Sequence, residues 1–166
     1  MTGPDDLVRE RLPLTIDRET YTPAYLSIVS NALNRGGSLL YMHRFGIGVN
    51  DWRVLSALGV RPGATAAEVC ALLGMDKSVA SRSVAGLVDR GLVGIERLPG
   101  QRQLYLTRQG AEVHDQVLPM ALERERRLLE GFSAEEVAVL RQFLRRMNDN
   151  VAAVNAAPEA AEPAED

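Results

Sequence analysis

Lys77, Ser78, Ser81 and Arg82 fall within the string DKSVASRSV, and at 3.6 residues per turn they share one side of a helix's first two turns. An ammonium, a guanidinium and two hydroxyls so placed can donate to base edges and phosphate oxygens, and a helix N-terminus itself attracts phosphate. Arg82 can give a bidentate pair to guanine, a contact that contributes roughly 1–3 kcal/mol of base discrimination. A second basic group follows. Arg97, Arg102 and Gln103 flank Leu98-Pro99-Gly100-Gln101, the turn between two short strand-like runs. A slender turn can place Arg102 in a narrow, electronegative minor groove, with Arg97 and Gln103 as further phosphate contacts. The alternatives are a solvated turn for Arg102, and pairing of Arg97 with Glu96 or an acid on the following helix. Together the two groups have the chemistry of polyanion recognition.

The elements that must position these groups can be read from periodicity and caps. Residues 1–22 form a polar N-terminal arm with mixed charge. Residues 23–49 hold a dimerisation helix over 23–43, with Tyr25, Ile28, Val29, Ala32, Leu33, Leu39, Leu40 and Met42 at helical spacing, and then a loop. Gly36-Gly37 weakens that helix and permits a close contact or a bend. The unit that carries the basic groups spans 50–110. Asn50 is its first expected N-cap, with Trp52, Val54, Leu55 and Leu58 facing inward behind it. Thr65 and Glu68 make a capping box for a helix over Ala66–Leu73, which Gly74 ends. Asp76 caps a helix over Lys77–Arg90, with Val79, Ala80, Val84 and Leu87 inward, and Gly91 stops it. Strands are expected over Leu92–Arg97 and Arg102–Thr107. Residues 111–151 supply C-terminal dimerisation helices: one begins at Arg108 behind a Thr107 cap and must accommodate Pro119, and one follows a Ser133/Glu136 capping box. Residues 152–166, low-complexity Ala/Pro/Glu, read as a disordered acidic tail. The fold class is mainly α, a winged helix-turn-helix with one β-hairpin wing. Its terminal helices have little to bury within one chain, and a second copy is the natural cover.

Charge supports this division. The 166-residue chain has a net charge of −3, yet residues 76–108 carry six bases against three acids. The negative excess lies in the arm and in the tail, which ends with Glu159, Glu162, Glu165 and Asp166. An acidic chain can therefore present a basic face. One cysteine, Cys70, excludes an internal disulfide and fits a reducing compartment; it reads as a small core filler, with a redox switch as the alternative. No signal peptide or membrane-length apolar run is expected, and the localisation read from this is cytoplasmic. The two histidines, His43 and His114, lack metal-ligand spacing, so neither metal nor cofactor is expected. There is no GxSxG, P-loop or HExxH, and the chain does not read as an enzyme.

The string DKSVASRSVAGLVDRGLV resembles the recognition-helix motif of the MarR family of regulators, and TAAEVCALLGM is similar to the helix that precedes it. Leu106-Thr107 with Gly110 resembles the closure of that family's wing, and GVNDWRVLSAL its second helix. The likeness covers roughly residues 24–150. It implies a homodimeric DNA-binding transcriptional regulator, usually a repressor, that binds a palindromic operator and is released by a small aromatic or phenolic effector. The segment SNALNRGGSLLYMHRFGIGVNDWRVL is similar to members that sense hydroxycinnamate-type aromatic acids or their CoA thioesters. The effector candidates are Arg35, Ser38, His43, Arg44, Trp52 and His114. The plainer reading makes Trp52 a core residue and the two arginines surface pairing residues. In two places the chain departs from the family pattern. Gly100-Gln101-Arg102 lacks the acid that usually supports the wing arginine, and Gly86 stands where a larger residue is common. The other function considered is a winged-helix module that docks a protein partner and binds no DNA.

Overall fold

The computed structural model describes residues 7–156. The chain divides into two compact units at Val117/Leu118. The first holds α1 (Thr22–Phe45), α2 (Val49–Val60), α3 (Ala66–Leu73), α4 (Lys77–Asp89), β1 (Val93–Leu98), β2 (Gln101–Leu106) and the first half of α5 (Arg108–Leu128). The second holds the rest of α5 and α6 (Ala134–Ala156). The winged helix-turn-helix expected from the sequence is present.

Its core is assembled around α2, which packs against α1, α3, α4 and β2. Trp52, Val54, Leu55, Ala57 and Leu58 of α2 are buried, and so are Val69, Ala80, Val84, Leu87, Leu92, Val93 and Leu104 from the elements around it. Sequence spacing found the four expected inward residues of α2. Its N-cap, however, is Gly48, and Asn50 lies inside the helix. Asp51 explains the shift: its carboxylate accepts the Gly48 N–H at 2.9 Å, so the acid three residues along anchors the start. The loop before α2 shrinks because α1 continues to Phe45, where Gly46 at φ 65° closes it. Gly36 and Gly37 sit inside an unbroken helix, and Gly37 is buried.

The Thr65/Glu68 capping box forms as expected, with the Thr65 N–H donating to Glu68 Oε2 at 2.8 Å and the Glu68 N–H to Thr65 Oγ1 at 3.2 Å. The Thr65 N–H and the Thr65 hydroxyl, which donates to Glu68 Oε2 at 3.0 Å, hold the Glu68 carboxyl below its ordinary pKa. Asp76 occupies the N-cap of α4, but its side chain makes no capping bond; its main-chain carbonyl accepts from Val79 and Ala80. β1 lies one residue C-terminal and β2 one residue N-terminal of the expected runs, pairing Val93 with Leu106 through to Leu98 with Gln101. The turn is thus the two residues Pro99-Gly100, with Gly100 at φ 74°, the combination a type II turn uses.

The junction between wing and α5 is the tightest place in the first unit. The Thr107 hydroxyl donates to the Gly91 carbonyl at 2.7 Å and accepts the Gly110 N–H at 3.0 Å, and the Thr107 N–H donates to the Leu92 carbonyl at 3.1 Å. A Cβ on Gly110 would overlap the Leu92 carbonyl oxygen and stand 2.9 Å from its carbonyl carbon. Main chain against main chain leaves no flexible atom to yield.

In the second unit Ser133 and Glu136 form the second capping box, at 2.7 and 3.2 Å. Glu123 accepts from Arg126 and Arg127, which lowers its pKa to about 2. Helix α6 has no buried residue, and it extends to Ala156, beyond the expected end near Val151. Residues 152–156 are therefore helical; 157–166, the remainder of the expected tail, lie outside the described residues, as do residues 1–6 of the arm.

Gly110→Ala should destabilise the protein by about 1–3 kcal/mol or more, since overpacking here must move backbone. Urea denaturation should show a lower midpoint with an unchanged slope; an unchanged midpoint would contradict the close approach.

Candidate nucleic-acid interface

Helix α4 turns Ala80, Ser83, Val84 and Leu87 inward and leaves Lys77, Ser78, Ser81 and Arg82 exposed. Helical period accounts for Ser78, Ser81 and Arg82, which lie away from 80, 84 and 87; Lys77, on the flank of the buried stripe, is exposed where it opens the helix. Val79 is half-buried, and Ser83 joined the core unexpectedly. The Arg82 Nε donates to the Ser78 carbonyl at 3.3 Å, which holds the stem along the helix. Its terminal nitrogens are left for an outside acceptor. Toward the C-terminal half the same face carries Ala85, Gly86 and Asp89, all exposed, so its basicity is concentrated at the N-terminal end.

The wing supplies the other cations. Arg97 and Arg102 are direct cross-strand partners, both exposed, around a shallow cavity of about 450 Å³ that Leu98, Gly100 and Gln101 complete. Glu96 pairs with Gln103 one position along, and alternation sends it to the opposite face of the hairpin. The expected alternative of an Arg97–Glu96 pair does not form. Gln103 is half-buried, and its Oε1 accepts the Tyr105 hydroxyl at 2.7 Å. A second groove, of about 470 Å³, runs from Arg102 past Leu104 and Val84 to Thr65, Ala66 and Ala67, so α3, α4 and the wing border one surface.

Arg90 was counted with the basic residues of this segment, but the fold uses it elsewhere. Its guanidinium donates to the Gly46 carbonyl at 2.7 Å and to the Phe45 carbonyl at 2.9 Å, capping the C-terminus of α1 from the far end of α4. Sequence reasoning had no signal for this, because the partners are 44 and 45 residues away and are main-chain atoms. Cys70 is also placed differently from expectation. It is half-buried, donates its S–H to the Met75 carbonyl at 2.7 Å, and borders a groove between α3 and α4. The helix is too short and too close to the surface at that point to enclose it.

Of the effector candidates, the structure brings two together. Trp52 and His114 lie with ring centroids 5.4 Å apart, and Tyr41 of α1 stands 6.2 Å from Trp52 on another side. Gly59 makes room for the histidine, since a Cβ there would lie 3.2 Å from His114 Nε2. The His114 Nδ1 and Asp115 Oδ1 are 2.9 Å apart. Ser38 is engaged with the Val49 N–H at 3.3 Å, and Arg35, His43 and Arg44 are exposed on α1. Tyr41 was missed, because helical spacing does not say which neighbour a residue meets.

Residues 45–104 match a sequence model described as the MarR family. Among solved structures, the chain is similar to a MarR/EmrR family transcriptional regulator from Acinetobacter sp. ADP1. The two are 27% identical, with a TM-score of 0.77, over 82% of this chain and 99% of that one. It is similar also to PcaV of Streptomyces coelicolor, solved in complex with its natural ligand, at 26% identity and TM-score 0.70, covering 82% and 97% of the two chains. MepR of S. aureus, solved as a DNA complex, shares the fold at 16% identity and TM-score 0.72, covering 81% and 99%. No curated protein matches the chain.

Arg90→Ala should cost about 1 kcal/mol of stability, below the roughly 1.5–3 kcal/mol of bonds to a charged group because the site is exposed. Equilibrium unfolding checks this, and Arg90→Lys should recover part of the loss.

Proposed function

We infer, from the match of residues 45–104 to a sequence model described as the MarR family, that the protein is a homodimeric, sequence-specific DNA-binding transcriptional regulator. The observation that carries this is the exposed set Lys77, Ser78, Ser81 and Arg82 at the leading end of α4, beside the exposed wing arginines. In this reading α4 enters the major groove, Arg82 reads a base edge, and Arg97 and Arg102 engage the backbone and the minor groove.

Two copies on a two-fold axis engage the halves of a palindrome about one helical turn apart. The dimer reading draws support from apolar residues exposed within each unit: Tyr25, Leu26, Ile28 and Val29 on α1, and Val139, Leu140, Phe143 and Leu144 on α6. Among the described residues no helix is long and apolar enough to cross a membrane, so these faces are read as protein–protein surface, in a cytoplasmic protein.

Repression follows from promoter occlusion. A small aromatic or phenolic acid releases the DNA by binding better to a dimer whose heads are wrongly spaced, since only differential affinity shifts a population. The ring contact of Trp52 with His114 and Tyr41 is the supporting feature for an aromatic effector, and the ligand-bound state of PcaV supports having one. Arg35, Ser38, His43 and Arg44 are the polar residues assigned to that effector.

The test is fluorescence anisotropy on DNA from upstream of the protein's own gene, across a salt series. Affinity should fall steeply with salt as counterions are released. Arg82→Ala should weaken binding by roughly 5- to 150-fold, equivalent to 1–3 kcal/mol, and relax preference at one base pair. Salt-independent affinity for this DNA, unaltered by Arg82→Ala, would sink the reading in favour of a protein-docking module.

A further inference from the structure

Arg90 stands at the end of α4, and its guanidinium reaches the end of α1. Nη1 donates to the Gly46 carbonyl at 2.7 Å and Nη2 to the Phe45 carbonyl at 2.9 Å. These oxygens belong to the C-cap and the last residue of α1, where partial negative charge collects and partners within the helix run out. Among the described residues no carboxylate pairs with Arg90, so its charge is committed to main-chain oxygens. The fit is close from the other side too. Gly46 has φ 65°, and a Cβ there would stand 3.3 Å from Arg90 Nη2.

Helices α1 and α4 each pack on α2, and neither packs extensively on the other. Helix α1 is bonded to α2 through Arg53 and Asn34 at 2.8 Å, and through Ser38 and the Val49 N–H at 3.3 Å. Arg90 instead bonds α4 to α1 directly, across the joint Gly46-Ile47-Gly48 where the chain passes from α1 into α2. The reading residues lie at the opposite end of α4. Lys77 is 13 residues from Arg90, roughly 20 Å along the helix axis. A swing of about 10° around the Arg90 end would move Lys77 by roughly 3.4 Å, the rise of one base pair.

We propose that Arg90 is a positioning residue that holds α4 at a fixed angle to α1, and so sets the half-site spacing that the dimer accepts. This role rests on the dimeric DNA-binding reading above, in which α1 contributes to the interface between copies and α4 reads each half-site. Each head then takes its direction from α1, and two copies of the same pair of bonds fix the distance between heads. Arginine suits the task because its planar fork carries donors in fixed positions, so two carbonyls are held in one orientation. A lysine ammonium supplies a point charge without that orientation. Adding one base pair between half-sites separates them by about 3.4 Å and turns one against the other by roughly 35°. To follow, a head must break its Arg90 bonds; a head without them follows unopposed.

The experiment compares the full chain with Arg90→Gln and Arg90→Lys, at a temperature where circular dichroism shows all three folded. Fluorescence anisotropy is measured on the palindrome upstream of the protein's own gene, with its centre unaltered, lengthened or shortened by one base pair, and on a single half-site. The wild type should bind the unaltered palindrome best. Arg90→Gln should lose about 5-fold of that discrimination per head, and up to about 30-fold for two, the weight of these bonds at an exposed site. Arg90→Lys should fall between, and half-site affinity should be the same for all three. Discrimination that does not change, or affinity lowered by one factor on every duplex as lost stability alone would give, overturns the role. In the free protein, spin labels at Ala85→Cys, an exposed position of α4, in a Cys70→Ser background report the distance between heads. That distance should be narrowly distributed in the wild type, broader in Arg90→Gln and partly restored in Arg90→Lys; equal widths overturn the role. Wild-type protein that pairs but binds none of the duplexes refutes the functional reading instead, and the label distances then decide the positioning role. A chain whose copies do not pair refutes both.

Discussion

The first unit depends on one close approach, that of the Gly110 backbone to the Leu92 carbonyl. Four elements meet there. Helix α4 ends at Asp89 and the chain turns at Gly91, β1 begins at Val93, β2 ends at Leu106, and α5 starts behind Thr107. The Thr107 hydroxyl closes the junction by bonding to the Gly91 carbonyl and the Gly110 N–H together. A hydroxyl is required because it must donate and accept at once, and a hydrogen is required at Cα because the facing group is main chain. With that junction fixed, the direction in which the wing leaves α4 is fixed too. The cations of the helix and those of the hairpin then border one surface.

The fold also sorts the positive charges. Arg61 pairs with Glu68, Arg53 bonds to Asn34, Arg90 caps α1, and Arg126, Arg127 and Arg141 pair with glutamates of α5. Those cations serve the structure, and near the surface such pairs contribute little more than local order. Lys77, Arg97 and Arg102 make no ion pair among the described residues. A chain with net charge −3 can thus present local positive charge at the leading end of α4 and at the wing tip. Local placement, and not total charge, governs what it attracts.

Much of this was legible in the chain because the signals are short-range. The Thr65/Glu68 and Ser133/Glu136 boxes, the glycine stops at 74 and 91 and the Pro99-Gly100 turn act over at most three residues. The burial of Ala80, Val84 and Leu87 follows from helical period alone, and with it the outward set at 78, 81 and 82. Where reading failed, two local signals competed or a distant partner intervened. Asn50 looked like a cap, yet Asp51 captured the Gly48 N–H and moved the start of α2. Arg90 looked like part of the basic face, yet its guanidinium bonds to the main chain at the end of α1.

The sequence by itself determined the order of elements, the fold class and the basic face of α4, since dihedral preference, capping and amphipathic period are properties of a few neighbouring residues. Tertiary structure alone decided the rest. It opposed Arg97 to Arg102 through strand register, drew Arg90 to the end of α1, and brought the rings of Tyr41 and His114 within about 6 Å of Trp52. The contacts of Arg90 and Trp52 join residues whose separation along the chain carries no information about their separation in space. Only the packing of α1, α3, α4 and β2 around α2 brings them within reach.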